Sequence, residues 1–183
     1  MNQPIVIVLA SGRGERFGAS GGTTPKLQAL LAGKPVLAHT LDAVRASGLP
    51  WHLEDAGHPG MGDSIGAAVR ATPQANGWLI LPGDLPLVRP QTLRQVANAL
   101  REHAVVVPVF QGQRGHPVGF AGACRAALAA LSGDHGAASV VRSYGAIEIV
   151  VDDEGCVTDI DTLTDLRRVE QALASRLDAP GLN

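Results

Sequence analysis

Short apolar runs alternate along the chain with longer segments in which apolar residues recur every three or four positions. The short runs are continuous and rich in Val, Ile and Leu, which is typical of strands buried on both faces of a sheet. There are four of them: Ile5 to Ala10, Trp78 to Leu81, Ala104 to Val109 and Ile147 to Val151. We therefore predict four buried strands separated by helices.

The intervening segments carry the apolar spacing of amphipathic helices. The three clearest stripes are Leu37, Leu41 and Val44; then Leu93, Val96, Ala97 and Leu100, after Pro90; and Leu166, Val169, Leu173 and Leu177. Strands that alternate with helices predict an α/β fold, a three-layer sandwich with a mainly parallel sheet between helices. In such folds ligands bind at the carboxyl ends of the strands, so the search for a site begins there.

The composition narrows the class of protein. The chain has 183 residues, of which 45% are hydrophobic, 17% charged and 3% aromatic, and this predicts a single globular domain over residues 1–177 with a polar tail at 178–183. A formal net charge of −2 and six aromatic residues give neither the positive field nor the stacking platforms that nucleic-acid binding uses. We expect no nucleic-acid partner.

The cysteines and the amino-terminal sequence indicate in which cellular compartment the protein is expected. Cys124 and Cys156 lie far apart and outside any Cys/His cluster, so we expect no zinc site and no disulfide framework. No basic segment precedes the first apolar run, and that run is too short to cross a bilayer. These features predict a cytoplasmic protein with no membrane partner.

The stretch LASGRGERFG, residues 9–18, follows the first predicted strand. Its glycines miss the G-x-G-x-x-G spacing of a dinucleotide fingerprint, and no Gly-Lys-Ser/Thr follows as in a Walker loop. A nicotinamide oxidoreductase and a P-loop enzyme are therefore disfavoured. Two interpretations remain: a backbone cradle for a polyphosphate, supported by Arg13, Arg16 and the later Lys26, or a flexible surface loop.

A second candidate lies in LILPGDLPL, residues 79–87, where a buried strand runs into Asp84. The carboxylate would project from the same sheet edge as the glycine-rich stretch, where it could hold Mg²⁺. The alternative is an aspartate that only supports the turn through a bond to the backbone.

Further carboxylates occur in VTDIDTLTDL, residues 157–166. Asp159 and Asp161 are two positions apart, so in an extended segment both face the same way and one could complete a metal site with Asp84. The alternative is helix initiation, with Thr162 or Thr164 as the N-cap and Asp165 in the first turn.

The first strand and LASGRGERFG are followed in order by PKLQALLAGKPVLAHTLDAV, PGDLPL, GHPVGF and DIDTLTDL. This series resembles the molybdenum cofactor cytidylyltransferase branch of the nucleotidyltransferases that also contains the molybdenum cofactor guanylyltransferases. The resemblance covers roughly Ile5 to Leu173. It implies a Rossmann-like, GT-A-like nucleotidyltransferase fold and an Mg²⁺-dependent enzyme. The implied reaction transfers CMP from CTP to the terminal phosphate of molybdopterin with release of pyrophosphate.

The resemblance also implies roles for particular residues. Base and triphosphate would be wrapped by Leu9, Ala10, Ser11, Gly12, Arg13 and Gly14. Arg16 and Lys26 would contact phosphates, with Asp84 as the third catalytic residue and Asp84 and Asp161 as metal ligands. The stretches at residues 115–120, with His116 and Pro117, and at 131–137 would surround the acceptor; His116 could equally be a locally bonded turn residue.

Other polar residues are less clearly assigned. Asp63 and Ser64, in GMGDSIGAAV at residues 60–69, could approach base or ribose, although capping of the helix that starts there is favoured. The remaining histidines are expected to be exposed and inert: His39, His52, His58, His103 and His135.

Two departures from the family pattern leave alternative functions open. The segment at residues 50–59 is shorter than the edge β-α unit of the family, so that unit is expected to be shortened or absent. The second departure is Ala138, where the family has Arg. The alternatives are GTP as the nucleotide, a sugar or alcohol phosphate as the acceptor, or a non-catalytic carrier of the molybdenum cofactor. A molybdoenzyme or its chaperone would be the protein partner.

Overall fold

The structure, a computed structural model, describes residues 3–12 and 14–178, with side chains through residue 175. The strands are β1 Ile5–Leu9, β2 Leu30–Leu31, β3 Lys34–Pro35, β4 Trp51–Glu54, β5 Gly77–Pro82, β6 Val105–Phe110, β7 Gln113–Arg114, β8 Val118–Ala121 and β9 Ile147–Val150. The α-helices are α1 Glu15–Ala19, α2 Val36–Ser47, α3 Met61–Ala71, α4 Pro90–Ala99, α5 Arg125–Ala129, α6 Ala138–Tyr144 and α7 Leu163–Asp178. Short 3-10 turns are Lys26–Gln28, Gly122–Cys124 and Glu154–Val157.

The central sheet has the strand order β4-β1-β5-β8-β6, with β9 on the far side of β6 and β7 paired to the end of β6. β1 runs parallel to β4 and β5, and β6 runs parallel to β9, whereas β8 is antiparallel to both of its neighbours. The predicted α/β fold with a mainly parallel sheet is confirmed. The register sets Leu9 of β1 beside Glu54 and Pro82, so three strands end at the same edge.

The core lies on both faces of this sheet. Val6 and Val8 of β1 face α2 and α4, while Ile7 faces α3 and α5, as the alternation of a strand requires. Burial of each such aliphatic side chain contributes roughly 1.5–3 kcal/mol. A third cluster joins α1, the β2–β3 hairpin and α7 through Phe17, Leu31 and Val169, with Val36, Leu87 and Ile160.

The predicted strand at 147–151 forms but is not buried on both faces. β9 pairs with β6 on one side, and its side chains alternate between half-buried and exposed, with Val150 85% exposed. β9 is exposed in part because it is the last strand of the sheet, and the continuous apolar run at 147–151 does not indicate that position.

The shortened segment at residues 50–59 nevertheless contains the edge strand. β4 pairs in parallel with β1 from Trp51 to Glu54, and a short loop then leads straight into α3. Of the two alternatives, a shortened or an absent edge unit, the structure has the shortened one: four residues suffice for the strand because β1, buried over Val6–Val8, supplies its partners.

The helices predicted from apolar spacing form as α2, α4 and α7. Thr162 caps α7: its hydroxyl accepts from the Asp165 N–H, and the Asp165 carboxylate accepts from the Thr162 N–H, so the predicted helix initiation is confirmed. The helix continues through Asp178, and residues 179–183 of the predicted tail lie outside the described residues.

Among residues 3–12 and 14–178, no helix combines the length and the apolar character that crossing a bilayer needs.

Candidate functional site

A cavity of about 500 Å³ opens at the sheet edge where β1, β4 and β5 end. Its walls come from several stretches of chain that are distant in sequence. The residues that line it include Leu9, Ser11, Gly12, Arg16, Lys26, His58, Gly60, Met61, Ser64, Asp84, Arg114, His116, Asp134, Cys156, Asp159 and Asp161.

The glycine-rich connection turns sharply because neighbouring backbone holds it. The Ala10 N–H donates to the carbonyl of Glu54 at 2.9 Å, and the Gly83 N–H donates to the carbonyl of Leu9 at 2.9 Å. Gly14 has φ +61°, and a Cβ there would lie 3.1 Å from the Cβ of Lys26. Glycine is therefore required at position 14 for Lys26 to come this close. Arg13, predicted to bind nucleotide, lies outside the described residues.

Lys26 sits between two carboxylates at the centre of this edge. Its Nζ donates to Asp84 Oδ2 at 2.6 Å and to Asp161 Oδ1 at 3.1 Å. Burial by itself would lower the pKa of Lys26, but the charge and hydrogen bond of Asp84, followed by those of Asp161, outweigh it and raise the pKa above its ordinary value. The side chain is thus a fixed cation.

Arg16 extends the positive charge from the first turn of α1. Its Nη1 lies 2.6 Å from Asp161 Oδ2, while the side chain is 80% exposed. An exposed ion pair of this kind contributes little to stability, so the guanidinium can exchange Asp161 for an incoming anion at small cost.

Asp84 is held rigidly by its backbone. Its carbonyl accepts from the Ile160 N–H at 3.2 Å, and the neighbouring Gly83 carbonyl accepts from the Thr40 hydroxyl at 2.8 Å. Asp84 Oδ1 is buried, and no hydrogen-bond partner for it exists among residues 3–12 and 14–178. Oxygens of Asp84, Asp159 and Asp161 lie within 4.8 Å of one another. Three carboxylates with one oxygen unsatisfied fit a hard divalent cation.

His116 forms the wall opposite the glycine-rich stretch. It precedes a cis peptide bond to Pro117, and its backbone N–H donates to the carbonyl of Cys156 at 2.8 Å. Burial lowers the pKa of the imidazole despite the opposing effects of Asp84, a backbone hydrogen bond at Ile80 and Asp159. The ring is therefore neutral at pH 7, and its buried Nδ1 lacks a partner within the described chain. Pro117 is buried beneath the wall rather than lining it.

Cys156 also lines the cavity, but its chemistry is not that of a nucleophile. Burial, followed by the charge of Asp153, raises the pKa of the thiol to about 11. The reactive thiolate is therefore scarce at neutral pH.

The prediction that Asp63 and Ser64 cap α3 was wrong. The helix starts at Met61 after the N-cap residue Gly60, and no side chain of the described structure caps it. The Asp63 carboxylate instead accepts from the Gly133 N–H at 3.1 Å, tying the 131–137 loop to α3, and Asp63 does not line the cavity. Ser64 does line it, and its hydroxyl donates to the Gly60 carbonyl at 3.1 Å.

Three of the five histidines expected to be exposed are half-buried and bonded. His39 Nε2 lies 2.8 Å from the Leu31 carbonyl oxygen, and His58 and His52 both contact Glu54. His103 and His135 are exposed, as predicted. Glu54 and His58 were not predicted from the sequence. The available signal was the spacing of His52 and Glu54, which lie two positions apart and therefore on one face of the strand at its carboxyl end.

Known proteins resemble this chain in sequence and in fold. Residues 42–148, more than half of the chain, match the model of the MobA-like NTP transferase domain. The chain belongs to this family. One curated relative is the bifunctional protein GlmU of Desulfitobacterium hafniense, which is 30% identical to this chain over 118 residues. The match covers 53% of this chain and 25% of that protein.

Solved structures show the same fold as this MobA-like domain. Rv0371c from Mycobacterium tuberculosis H37Rv is 28% identical with a TM-score of 0.76, and the match covers 93% of this chain and 98% of that one. Molybdopterin-guanine dinucleotide biosynthesis protein A from Archaeoglobus fulgidus, 19% identical, has a TM-score of 0.69 over 93% and 99% of the two chains. The Rossmann-like nucleotidyltransferase fold implied by the sequence is confirmed.

Proposed function

We propose that this protein is a metal-dependent nucleotidyltransferase that transfers CMP from CTP to the terminal phosphate of molybdopterin and releases pyrophosphate. The observation that carries the proposal is Lys26, held between Asp84 and Asp161 beside the glycine-rich stretch. Family membership supports the reaction class, and the motif resemblance supports the nucleotide and the acceptor.

The charges at the site suit a reaction between two anions. The acceptor phosphate must approach the α-phosphate of the nucleotide in line, so catalysis depends mainly on positioning and on neutralising charge. Arg16, Lys26 and Arg114 supply positive charge around the cavity. No protein nucleophile is needed, which agrees with the protonated state of Cys156.

Asp84 and Asp161, with Asp159 beside them, are the residues that would hold the metal. A divalent cation supplies Lewis-acid stabilisation of negative charge on phosphate oxygens. A second structure of M. tuberculosis Rv0371c, 25% identical to this chain, is a complex with manganese, which supports a divalent cation in this fold.

The acceptor would lie against the wall formed by His116 and Asp134. Both line the cavity on connections that the motif resemblance places around the acceptor. A neutral His116 adds no charge to that wall.

The first test is pyrophosphate release with CTP, GTP, ATP and UTP in turn, with Mg²⁺ and molybdopterin as the acceptor. The expected result is release with CTP. A parallel series with a sugar 1-phosphate separates acceptor classes. Nucleotide binding without release under any acceptor would contradict an enzyme and favour a carrier of the cofactor.

The roles of the central residues are tested in the same assay. Lys26→Ala and Asp84→Ala are expected to lower turnover by about a thousandfold or more, because each removes charge stabilisation at the phosphates. The matched controls are Lys34→Ala and Asp152→Ala, since Lys34 pairs with Asp42 and Asp152 is fully exposed, both outside the cavity. Substantial activity in either test variant would refute its role.

A further inference from the structure

A buried carboxylate with two imidazole partners stands beside the cavity. Glu54, the last residue of β4, is 6% exposed. Its Oε1 lies 3.1 Å from His58 Nε2 and accepts from the Ala56 N–H at 3.3 Å, while Oε2 lies 3.5 Å from His52 Nε2. A buried acid is costly unless its oxygens are satisfied, and these contacts supply the partners.

The contact with Glu54 fixes the tautomer of the His58 ring, that is, which of its two nitrogens carries the proton. An ionised carboxylate can only accept hydrogen bonds, so His58 Nε2 must carry the proton that it donates. In a neutral imidazole the other nitrogen, Nδ1, is then an acceptor. Nδ1 of His58 has no hydrogen-bond partner in the described part of the chain, and His58 itself lines the cavity.

The strand order places His58 at the end of the cavity away from the metal-binding carboxylates. His58 follows β4, the glycine-rich stretch follows β1, and Asp84 follows β5, which are successive neighbours in the sheet. Strands are about 4.8 Å apart, so β4 and β5 end roughly 10 Å from each other. This is about the distance between the base of a nucleotide and its phosphates.

The surroundings of His58 also differ from those of Lys26. Gly60, Met61 and Ser64 line the cavity next to it and bring no charge, and Asp134, whose backbone packs against Gly60, brings no positive charge. The cations Arg16 and Lys26 gather with Asp84, Asp159 and Asp161 at the β5 side. A nucleotide with its phosphates at Lys26 would therefore lay its base against the β4 side.

We infer that His58, oriented by Glu54, reads the nucleobase by accepting a hydrogen bond from an exocyclic amino group. The inference rests on the proposed function and deepens it. Cytosine carries such a group at C4, where uracil carries a carbonyl oxygen that cannot donate. His58 thereby selects CTP over UTP, two nucleotides of nearly the same size and equal charge.

The test is isothermal titration calorimetry of CTP and of UTP at pH 8 with Mg²⁺. Wild type is expected to bind CTP about tenfold or more tightly than UTP, because an unpaired acceptor facing a carbonyl is costly. His58→Ala is expected to weaken CTP binding by about tenfold and to leave UTP binding within about twofold.

Glu54→Gln provides a second variant that keeps the His58 ring. The glutamine amide can donate as well as accept, so it no longer fixes which ring nitrogen carries the proton. The preference for CTP should shrink while the circular dichroism spectrum stays native. The matched control is His103→Ala, since His103 is exposed at the opposite edge of the sheet, before β6.

The possible results separate the two proposals. Nucleotide binding with an unchanged CTP preference in His58→Ala would overturn the role of His58 alone. So would equal binding of CTP and UTP by wild type. Tight binding of GTP with neither pyrimidine would overturn the role of His58 and also the assignment of CTP as the nucleotide, but not the reaction class. No binding of any nucleotide by wild type would overturn the proposed function, and the role of His58 with it.

Discussion

At the scale of the residue, Lys26 occupies the space between the carboxylates to which we assign the metal. Its ammonium neutralises Asp84 and Asp161, so a cation that binds there must compete with it. We predict that Lys26→Met binds Mn²⁺ more tightly than wild type without nucleotide, by on the order of tenfold, because the carboxylates lose their compensating charge. Titration followed by the electron paramagnetic resonance signal of free Mn²⁺ measures this directly.

Lys34→Met serves as the control for Mn²⁺ binding, since it removes the same charge from a lysine paired with Asp42 outside the cavity. Its Mn²⁺ affinity should match wild type. Unchanged or weaker binding in Lys26→Met would show that the lysine supports the metal instead of competing with it.

The polar residues of the site differed in how well the sequence predicted them. Lys26, Asp84 and Asp161 could be placed together because each follows an element whose end is visible in the apolar pattern. Asp63 and His58 could not, because their surroundings depend on distant contacts: the partner of Asp63 is 70 positions away, and His58 contacts a glutamate buried only once β4 pairs with β1. The spacing of apolar and polar residues within one segment does not predict contacts of this kind.

At the scale of the element, the Asp153 side chain makes three of the hydrogen bonds that hold the turn at 152–157 and join it to the start of α4. The buried Asp153 carboxylate accepts from the Arg89 N–H at 2.9 Å, the Thr92 hydroxyl at 2.6 Å and the Gly155 N–H at 2.9 Å. We predict that Asp153→Ala lowers the free energy of unfolding by about 3 kcal/mol, because three donors lose a charged acceptor. Urea unfolding followed by circular dichroism measures the change.

The adjacent residue supplies the control for Asp153. The side chain of Asp152 is fully exposed, and its contact with Arg89 is a surface ion pair at 3.9 Å. Asp152→Ala should change the free energy of unfolding by less than about 0.5 kcal/mol. Equal losses in the two variants would mean that the turn is not anchored through Asp153.

The start of α7 predicts a dependence of stability on pH. Burial would raise the pKa of Asp165, but hydrogen bonds from Thr162 and from the backbone of Asp161 and Thr162, with the charge of Arg168, lower it below the ordinary value of 3.8. A carboxyl group with a lowered pKa in the folded state stabilises the fold above pH 3.8 and loses that contribution as pH falls through its folded pKa.

Asp165→Ala should therefore cost about 1 kcal/mol at pH 7. The difference from wild type should shrink as the pH falls below 3.8, and urea unfolding at pH 7 and pH 3.5 tests this. A difference that stays constant between the two pH values would contradict a role for the ionised carboxylate.

At the scale of the whole molecule, the alternation of apolar runs and helical stripes was enough to predict the layers and the edge that carries the site. The sequence did not predict β8, whose four residues include a glycine and lie in a stretch interpreted as an acceptor loop. The place of β8 between β5 and β6 follows from long-range pairing, for which the local sequence holds no signal. β4 was missed for a similar reason.

The position of β8 also affects how the chain can fold during its synthesis on the ribosome. β5 and β6 precede it in the sequence, yet β8 lies between them, so both strands keep an open edge until residue 121 has left the ribosome. A nascent chain stalled after Phe110 would present two apolar strands with unpaired backbone groups. We expect such truncated products to aggregate or to be degraded, and the sheet to close only when this late segment inserts.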